Sequence, residues 1–262
     1  MIQEKQVIVN NLLVNYYGLA SDDPAAETVV FLHGWLVNAE IWRSTIEGLH
    51  AQKDCNIYAL DLPGFGKSQA LEDDFDLEGY TQVVKGFIEK LNLKGVVLVG
   101  HSFGGRIAIK LSAQSPDLIR KLVLADSAGF RDKSFRKRTI VFLSKFFRPL
   151  LYLPFLKLLR PKFYKVIGSD YLNTNIDLRA TFLKIVNEDL TEYLPKISAP
   201  TLIIWGDKDR DTPMWFAKKI NSLVRNSRLE ILKGAEHISF IDKPEEFNKA
   251  LIDFIFPTNR YV

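Results

Sequence analysis

Apolar residues along the chain fall into two kinds of pattern. Short unbroken runs, rich in β-branched and aromatic residues, recur at 28–32 (TVVFL), 56–60 (NIYAL), 96–99 (VVLV), 121–126 (KLVLAD), 201–206 (TLIIWG) and 228–232 (RLEIL). Runs of that length without alternation are expected of strands buried on both faces. Between them apolar residues recur at helical spacing, which predicts helices over Glu40–Ala51, Leu77–Leu91, Ser102–Gln114, Pro213–Leu223 and Pro244–Phe256. Pro213 and Pro244 stand at first turns, where a missing N–H costs nothing. At the start, KQVIVN and LLVNYYGL flank Asn10-Asn11 and predict a β-hairpin. A hairpin followed by alternating strands and helices predicts an α/β fold, with a mostly parallel central β-sheet flanked by helices.

One stretch breaks the alternation. From residue 128 to 194 no strand is predicted, only apolar and basic residues at helical spacing. Within it, FLSKFFRPLLYLPFLKLLRPKFYKV carries Pro149, Pro154 and Pro161, which divide it into several short helices. The expected organisation is a core of residues 1–127 and 195–262, interrupted by an inserted helical cap over 128–194. Between Phe130 and Asp170 there are eleven basic residues and two acidic ones, a local charge of +9 in a chain whose net charge is +4. The remainder therefore sums to −5.

Composition narrows the function classes. With 262 residues, 47% hydrophobic and 25% charged, the chain is an ordinary globular protein of one-domain size. A net charge of +4 gives no reason to expect a nucleic-acid partner. Cys55 is the single cysteine, so no intrachain disulfide and no Cys/His metal cluster is expected, and no cofactor is implied. The opening MIQEKQVIVNNLL lacks a basic head and apolar run, and no stretch offers the 18 or so apolar residues of a spanning helix. The expected location is cytoplasmic.

The chemistry concentrates at Gly100-His101-Ser102-Phe103-Gly104, which fits G-x-S-x-G with a strand before it and a helix after it. There a strand reverses sharply into a helix, and glycines leave room where Cβ atoms would crowd the turn. No G-x-x-x-x-G-K-[ST] occurs, which excludes a P-loop. A serine hydroxyl needs a base to take its proton. Of four histidines, His50 reads as a surface residue of a helix, and His101 as one that packs or bonds locally. His33 lies in FLHGW after a strand, and His237 in a polar loop after the last strand. Loops at the carboxyl ends of the strands are where such sheets place their sites, so His237 is the candidate base. The imidazole needs a carboxylate. Asp207, Asp209 and Asp211 in WGDKDRDTP, and Asp126 at an earlier strand end, all qualify by spacing.

Together, HGW, DLPGFGKS, GHSFGG, WGDKDRDTP and GAEH, in that order, make the chain resemble the α/β-hydrolase fold superfamily over nearly its whole length. The order Ser, Asp, His is that superfamily's order. The resemblance implies Asp209 as the acid, and an oxyanion hole from the backbone N–H groups of Trp35 and Phe103. It gives His33, Gly34, Gly100 and Gly104 supporting parts, makes DLPGFGKS a loop-shaping segment, and makes the inserted helices a lid. A serine at 102 excludes the dehalogenase and epoxide hydrolase branches, which use a carboxylate nucleophile. It implies hydrolysis of a carboxylic ester through an acyl-enzyme. C–C bond hydrolysis of a meta-cleavage-type diketone uses the same triad, as do thioesterases and perhydrolases, and some members of the fold only bind ligands.

The expected partner is a small-molecule substrate with a small to medium apolar acyl or aryl group, suggested by Phe142, Phe146, Phe147, Leu150, Leu151, Tyr152 and Phe155 of the cap. The +9 charge is ordinarily a solvated face. Attraction of an anionic substrate and peripheral contact with an anionic membrane are the alternatives.

Overall fold

The computed structural model describes residues 2–71, 75–131, 174 and 178–257. Eight strands form one sheet: β1 (Gln3–Val9), β2 (Leu12–Leu19), β3 (Thr28–Leu32), β4 (Asn56–Leu60), β5 (Val96–His101), β6 (Ile119–Ala125), β7 (Thr201–Gly206) and β8 (Ser227–Leu232). Their order is β1-β2-β4-β3-β5-β6-β7-β8. Strands β3 to β8 are parallel, and β2 runs against them. The opening hairpin turns through Asn10 (φ 50°) and Asn11 (φ 64°), and registers Val9 against Leu12. Two positive φ values in a two-residue loop are what the right-handed twist of paired strands requires, and asparagine accepts them readily.

The helices among the described residues are α1 (Arg43–His50), α2 (Leu77–Lys90), α3 (Phe103–Gln114), α4 (Arg179–Asn187), α5 (Trp215–Leu223), α6 (Ser239–Asp242) and α7 (Pro244–Ile255). Alternate residues of the central strands feed two cores. Val30, Leu32, Leu98, Leu124 and Ile203 pack with α2, α3 and α5. Val29, Phe31, Val97, Val99, Val123 and Ile204 pack with α1, α6 and α7. Burial on both faces is why these strands read as continuous apolar runs.

Several boundaries differ from expectation. A 3₁₀ turn, Ala39–Trp42, precedes α1, because the Asn38 side chain caps Glu40 N–H and tightens the entry. Strand β6 ends at Ala125, one residue early, since Asp126 leaves the strand at φ 44°. Helix α6 was not expected: four residues are too few for a periodic signal. Both ends of the expected cap meet at the core, where Leu190 N–H donates to Gly129 O at 2.9 Å. Most of the cap itself, with its basic run and the aromatic residues named above, lies outside the described residues.

The order reverses at the centre. From β3 the chain moves outward to β4 on one side, and from β5 through β8 on the other. Neighbouring loops diverge at such a point and leave a crevice beyond the carboxyl ends of the strands.

Leu98 is fully buried on the α2–α3 side of the sheet, whereas Ile8 is 63% exposed. Leu98→Ala should lower unfolding free energy by about 3 kcal/mol, and Ile8→Ala by less than about 0.5 kcal/mol, in urea titrations.

Candidate active site

Ser102 sits between β5 and α3 at φ 49°, ψ −108°, a conformation that a side-chain-bearing residue rarely adopts. The turn fits because the residues two positions away on either side, Gly100 and Gly104, lack side chains. A Cβ on Gly104 would lie 2.5 Å from Leu32 O, and one on Gly100 would lie 2.6 Å from Gly104 O. With that room, Gly104 N–H donates to His33 O at 3.0 Å and draws α3 against the end of β3.

His237, between β8 and α6, meets the serine: Ser102 Oγ is 3.0 Å from its Nε2. Its Nδ1 is 2.9 Å from Asp209 Oδ2. The hydrogen-bond directions follow from chemistry, since a carboxylate can only accept: Nδ1–H donates to Asp209 and Nε2 is left to accept from the serine. Asp209 is itself fixed by its loop. Its Oδ1 accepts from Asp211 N–H at 2.8 Å and Thr212 N–H at 2.9 Å, and Thr212 Oγ1 stands 2.6 Å from Oδ2. Those bonds and the His237 contact outweigh burial and hold the Asp209 carboxyl below its ordinary range. Burial lowers the affinity of His237 for a proton, but the bond to Asp209 and its charge, with smaller help from Asp126 and Asp211, set the net direction upward.

The other acids separate by position. Asp207 and Asp211 are exposed, and Asp207 Oδ1 accepts from Gly234 N–H at 2.6 Å, bracing the turn before His237. Asp126 is buried but bonds elsewhere: Oδ1 accepts from Gly206 N–H at 2.8 Å and Oδ2 from Ser239. Spacing could not choose among the four. Burial and the inward turn at Asp211–Thr212 do.

Two backbone donors lie near the serine. Phe103 N–H is the first amide of α3, which no intrahelical acceptor reaches. Neither it nor Trp35 N–H bonds to anything among the described residues. Their side chains join an aromatic cluster. The Trp35 ring contacts Phe103 at 5.1 Å, Phe65 at 4.8 Å and Phe182 of α4 at 5.2 Å between centroids. Trp35 Nε1–H donates to Thr174 Oγ1 at 2.8 Å.

The sequence from 29 to 250 matches the pattern of the Alpha/beta hydrolase family. The chain belongs to that family. The uncharacterized hydrolase YugF of Bacillus subtilis (strain 168) is 32% identical over 262 residues, covering 92% of this chain and 94% of that protein. Monoacylglycerol lipase ABHD6 of Homo sapiens is 27% identical over 256 residues, covering 87% of this chain and 75% of that protein. Among solved structures, an esterase from Exiguobacterium antarcticum superposes with a TM-score of 0.77 at 24% identity, over 97% of this chain and 99% of that one. That likeness shows the fold.

In this alpha/beta hydrolase two more histidines stand near the serine, and both stay neutral. His33 Nδ1–H donates to Gly34 O at 2.7 Å, while Nε2 accepts from Leu62 N–H at 2.9 Å, pinning the loop that carries Trp35 to the end of β4. Burial lowers its pKa to about 4. His101 does more than the local contact expected of it. Its Nε2–H donates to His237 O at 2.9 Å, across 136 positions of sequence, and its ring packs on Phe240. Its Nδ1 faces Gly34, where a Cβ would stand 2.8 Å away. Burial, with the neighbouring His237, lowers its pKa to about 3. His50 is exposed on α1.

The DLPGFGKS segment shapes the adjoining backbone. Buried Asp61 accepts from Ala39 N–H at 2.8 Å, Lys67 N–H at 2.9 Å and Asn15 Nδ2–H at 3.0 Å. Residues that sequence reasoning missed are Thr212, Gly206 and Ser239. Thr212 was legible as the residue three after Asp209, within reach of a local side-chain turn.

In an imidazole NMR titration between pH 5 and 9, His33 and His101 should hold constant neutral shifts, while His237 titrates above the ordinary histidine value of about 6.5. Titration of His101 near neutrality would contradict the burial that keeps its ring neutral.

Proposed function

We propose that the protein is a serine hydrolase that cleaves a carboxylic ester with a small to medium apolar acyl or aryl group, through an acyl-enzyme. One observation carries this reading: Ser102, His237 and Asp209 form an unbroken chain of hydrogen bonds at 3.0 and 2.9 Å. As Ser102 Oγ attacks the ester carbonyl, its proton passes to His237 Nε2, and Asp209 stabilises the imidazolium. The carbonyl oxygen takes up negative charge and is met by Phe103 N–H and Trp35 N–H. A single such donor is typically worth about 10²–10³ in kcat. Collapse of the tetrahedral intermediate releases the alcohol, which takes the proton from His237. Water then attacks the acyl-Ser102 ester by the same path in reverse, with His237 as base.

An apolar substrate fits the aromatic cluster around the two donors, Trp35, Phe103, Phe65 and Phe182. An ester is also the bond implied by the name of the monoacylglycerol lipase relative. No helix among the described residues is long and apolar enough to cross a membrane.

With p-nitrophenyl butyrate as substrate, Ser102→Ala and His237→Ala should each lower kcat by about 10⁴-fold or more, and the double variant should be scarcely worse than either. Asp209→Asn should cost roughly 10⁴-fold, through a misoriented imidazole. Near-wild-type turnover in His237→Ala would overturn the mechanism. A wild-type protein that binds but does not cleave a panel of esters would place it among ligand-binding members of the fold.

A further inference from the structure

Asp126 is fully buried, at 0% exposure, just past the end of β6. Its backbone is held at φ 44°, which aspartate tolerates better than most residues. Among the described residues no lysine or arginine pairs with its carboxylate. A buried charge without a cation is costly unless hydrogen bonds satisfy it. Here the bonds come from two loops. Gly206 N–H, at 2.8 Å from Oδ1, opens the loop to Asp209. Ser239, whose N–H lies 3.2 Å from Oδ2 and whose hydroxyl also donates there, follows His237 by two residues.

The backbone of Asp126 reinforces the same link. Its N–H donates to Ile204 O at 3.0 Å, and its carbonyl lies 3.0 Å from Thr212 Oγ1, the hydroxyl beside Asp209. The two loops also touch directly: a Cβ on Gly206 would stand 2.3 Å from Glu236 O. No hydrogen bond joins the Asp126 carboxylate to the His237 ring, whose Nδ1 is taken by Asp209.

An asparagine could still accept from Gly206 N–H and donate to the Ser239 hydroxyl. It would leave Ser239 N–H unpaired and would carry no charge. The carboxylate therefore adds one bond and one negative charge behind the base.

We propose that Asp126 is a positioning residue for the serine hydrolase chemistry inferred above: it locks the loop bearing Asp209 to the loop bearing His237, and its charge favours the His237 imidazolium through space. The proposal rests on that reading for its catalytic consequence. The titratable groups around the pair are Asp209 and Asp211 on the loop after β7, His237 itself, and His101 at the end of β5. His101 stays neutral, so within this group the charge that His237 meets is negative. Burial raises the Asp126 carboxyl to about 7 despite its bonds to Ser239 and Gly206, so the charge is present in slightly alkaline solution and fades below neutrality.

The test compares Asp126→Asn and Asp126→Ala with wild type and Asp209→Asn at pH 8, reading the His237 pKa by imidazole NMR and kcat and KM with p-nitrophenyl acetate. Thermal melting confirms folding. In Asp126→Asn the His237 pKa should drop by roughly half a unit, because an attractive charge is gone, and the acid limb of kcat/KM should move down with it. KM should change little, and kcat should fall roughly 10- to 100-fold, as for a small misplacement of catalytic groups. Asp126→Ala should fall further, since it leaves Gly206 and Ser239 without an acceptor.

If Asp126→Asn does not fold, Ser239→Ala provides the same reading. Losing one bond lifts the Asp126 pKa and must lower that of His237, by less. An unchanged His237 pKa in a folded variant would overturn the proposal, and so would an Asp126→Asn enzyme as crippled as Asp209→Asn. The NMR arm needs no turnover, so failure of the ester reading would be seen separately, as a wild-type protein inert toward esters.

Discussion

The backbone at Ser102 is forced into φ 49°, ψ −108° by a strand that must become a helix within one residue. Strain of this kind costs of order 1–3 kcal/mol and persists only where the surroundings over-determine it. The surroundings here are β5, buried along its whole length, and α3, buried over most of its own. Close approach of α3 to β3 at Gly104 closes the turn. Once the turn is fixed, the rest follows by adjacency. The serine lies at the carboxyl edge where the strand order reverses, next to the loop after β3 that carries Trp35. The helix that begins at Phe103 presents its unpaired first amide there. The candidate nucleophile and the two backbone amides proposed to meet the oxyanion are thus set by one junction of three elements.

His237 and Asp209 are brought to that junction by electrostatics as much as by packing. His237 is attached on three sides: its ring by Asp209 and Ser102, its carbonyl by His101, and the start of the following helix by Asp126. The two other histidines near the serine are buried and neutral, so neither opposes formation of the His237 imidazolium. Carboxylates surround the base instead. Neutral rings thus serve as hydrogen-bonding struts, and acids supply the field that His237 meets.

Much of this was legible in the chain, for identifiable reasons. Unbroken apolar runs reveal strands covered on both faces, and the glycines around Ser102 reveal a turn too tight for side chains. The order of motifs then reveals the family. Strand order was not legible, because pairing of β3 with β5 depends on partners far apart in sequence. The choice of Asp209 was not legible from residues alone, since Asp207 and Asp211 share its loop, and only the fold shows which one turns inward. His101 was misjudged as a local contact because a side chain beside the turn was expected to end nearby. It crosses instead to the loop of His237, which the sheet brings alongside. Asp126 was weighed only as a rival acid, and the fold gives it different partners. The cap over 128–194 is an expectation of pattern and charge whose greater part lies outside the described residues.

The central claim, that this strained serine is the activated nucleophile, is tested most directly by covalent trapping. Treatment with a fluorophosphonate, followed by intact-mass measurement and peptide mapping, should give one adduct per chain, carried by Ser102. The same adduct should be absent or greatly slowed in His237→Ala, because the hydroxyl is then no longer deprotonated on attack. An unmodified wild-type protein, or an adduct on any residue other than Ser102, would contradict the account.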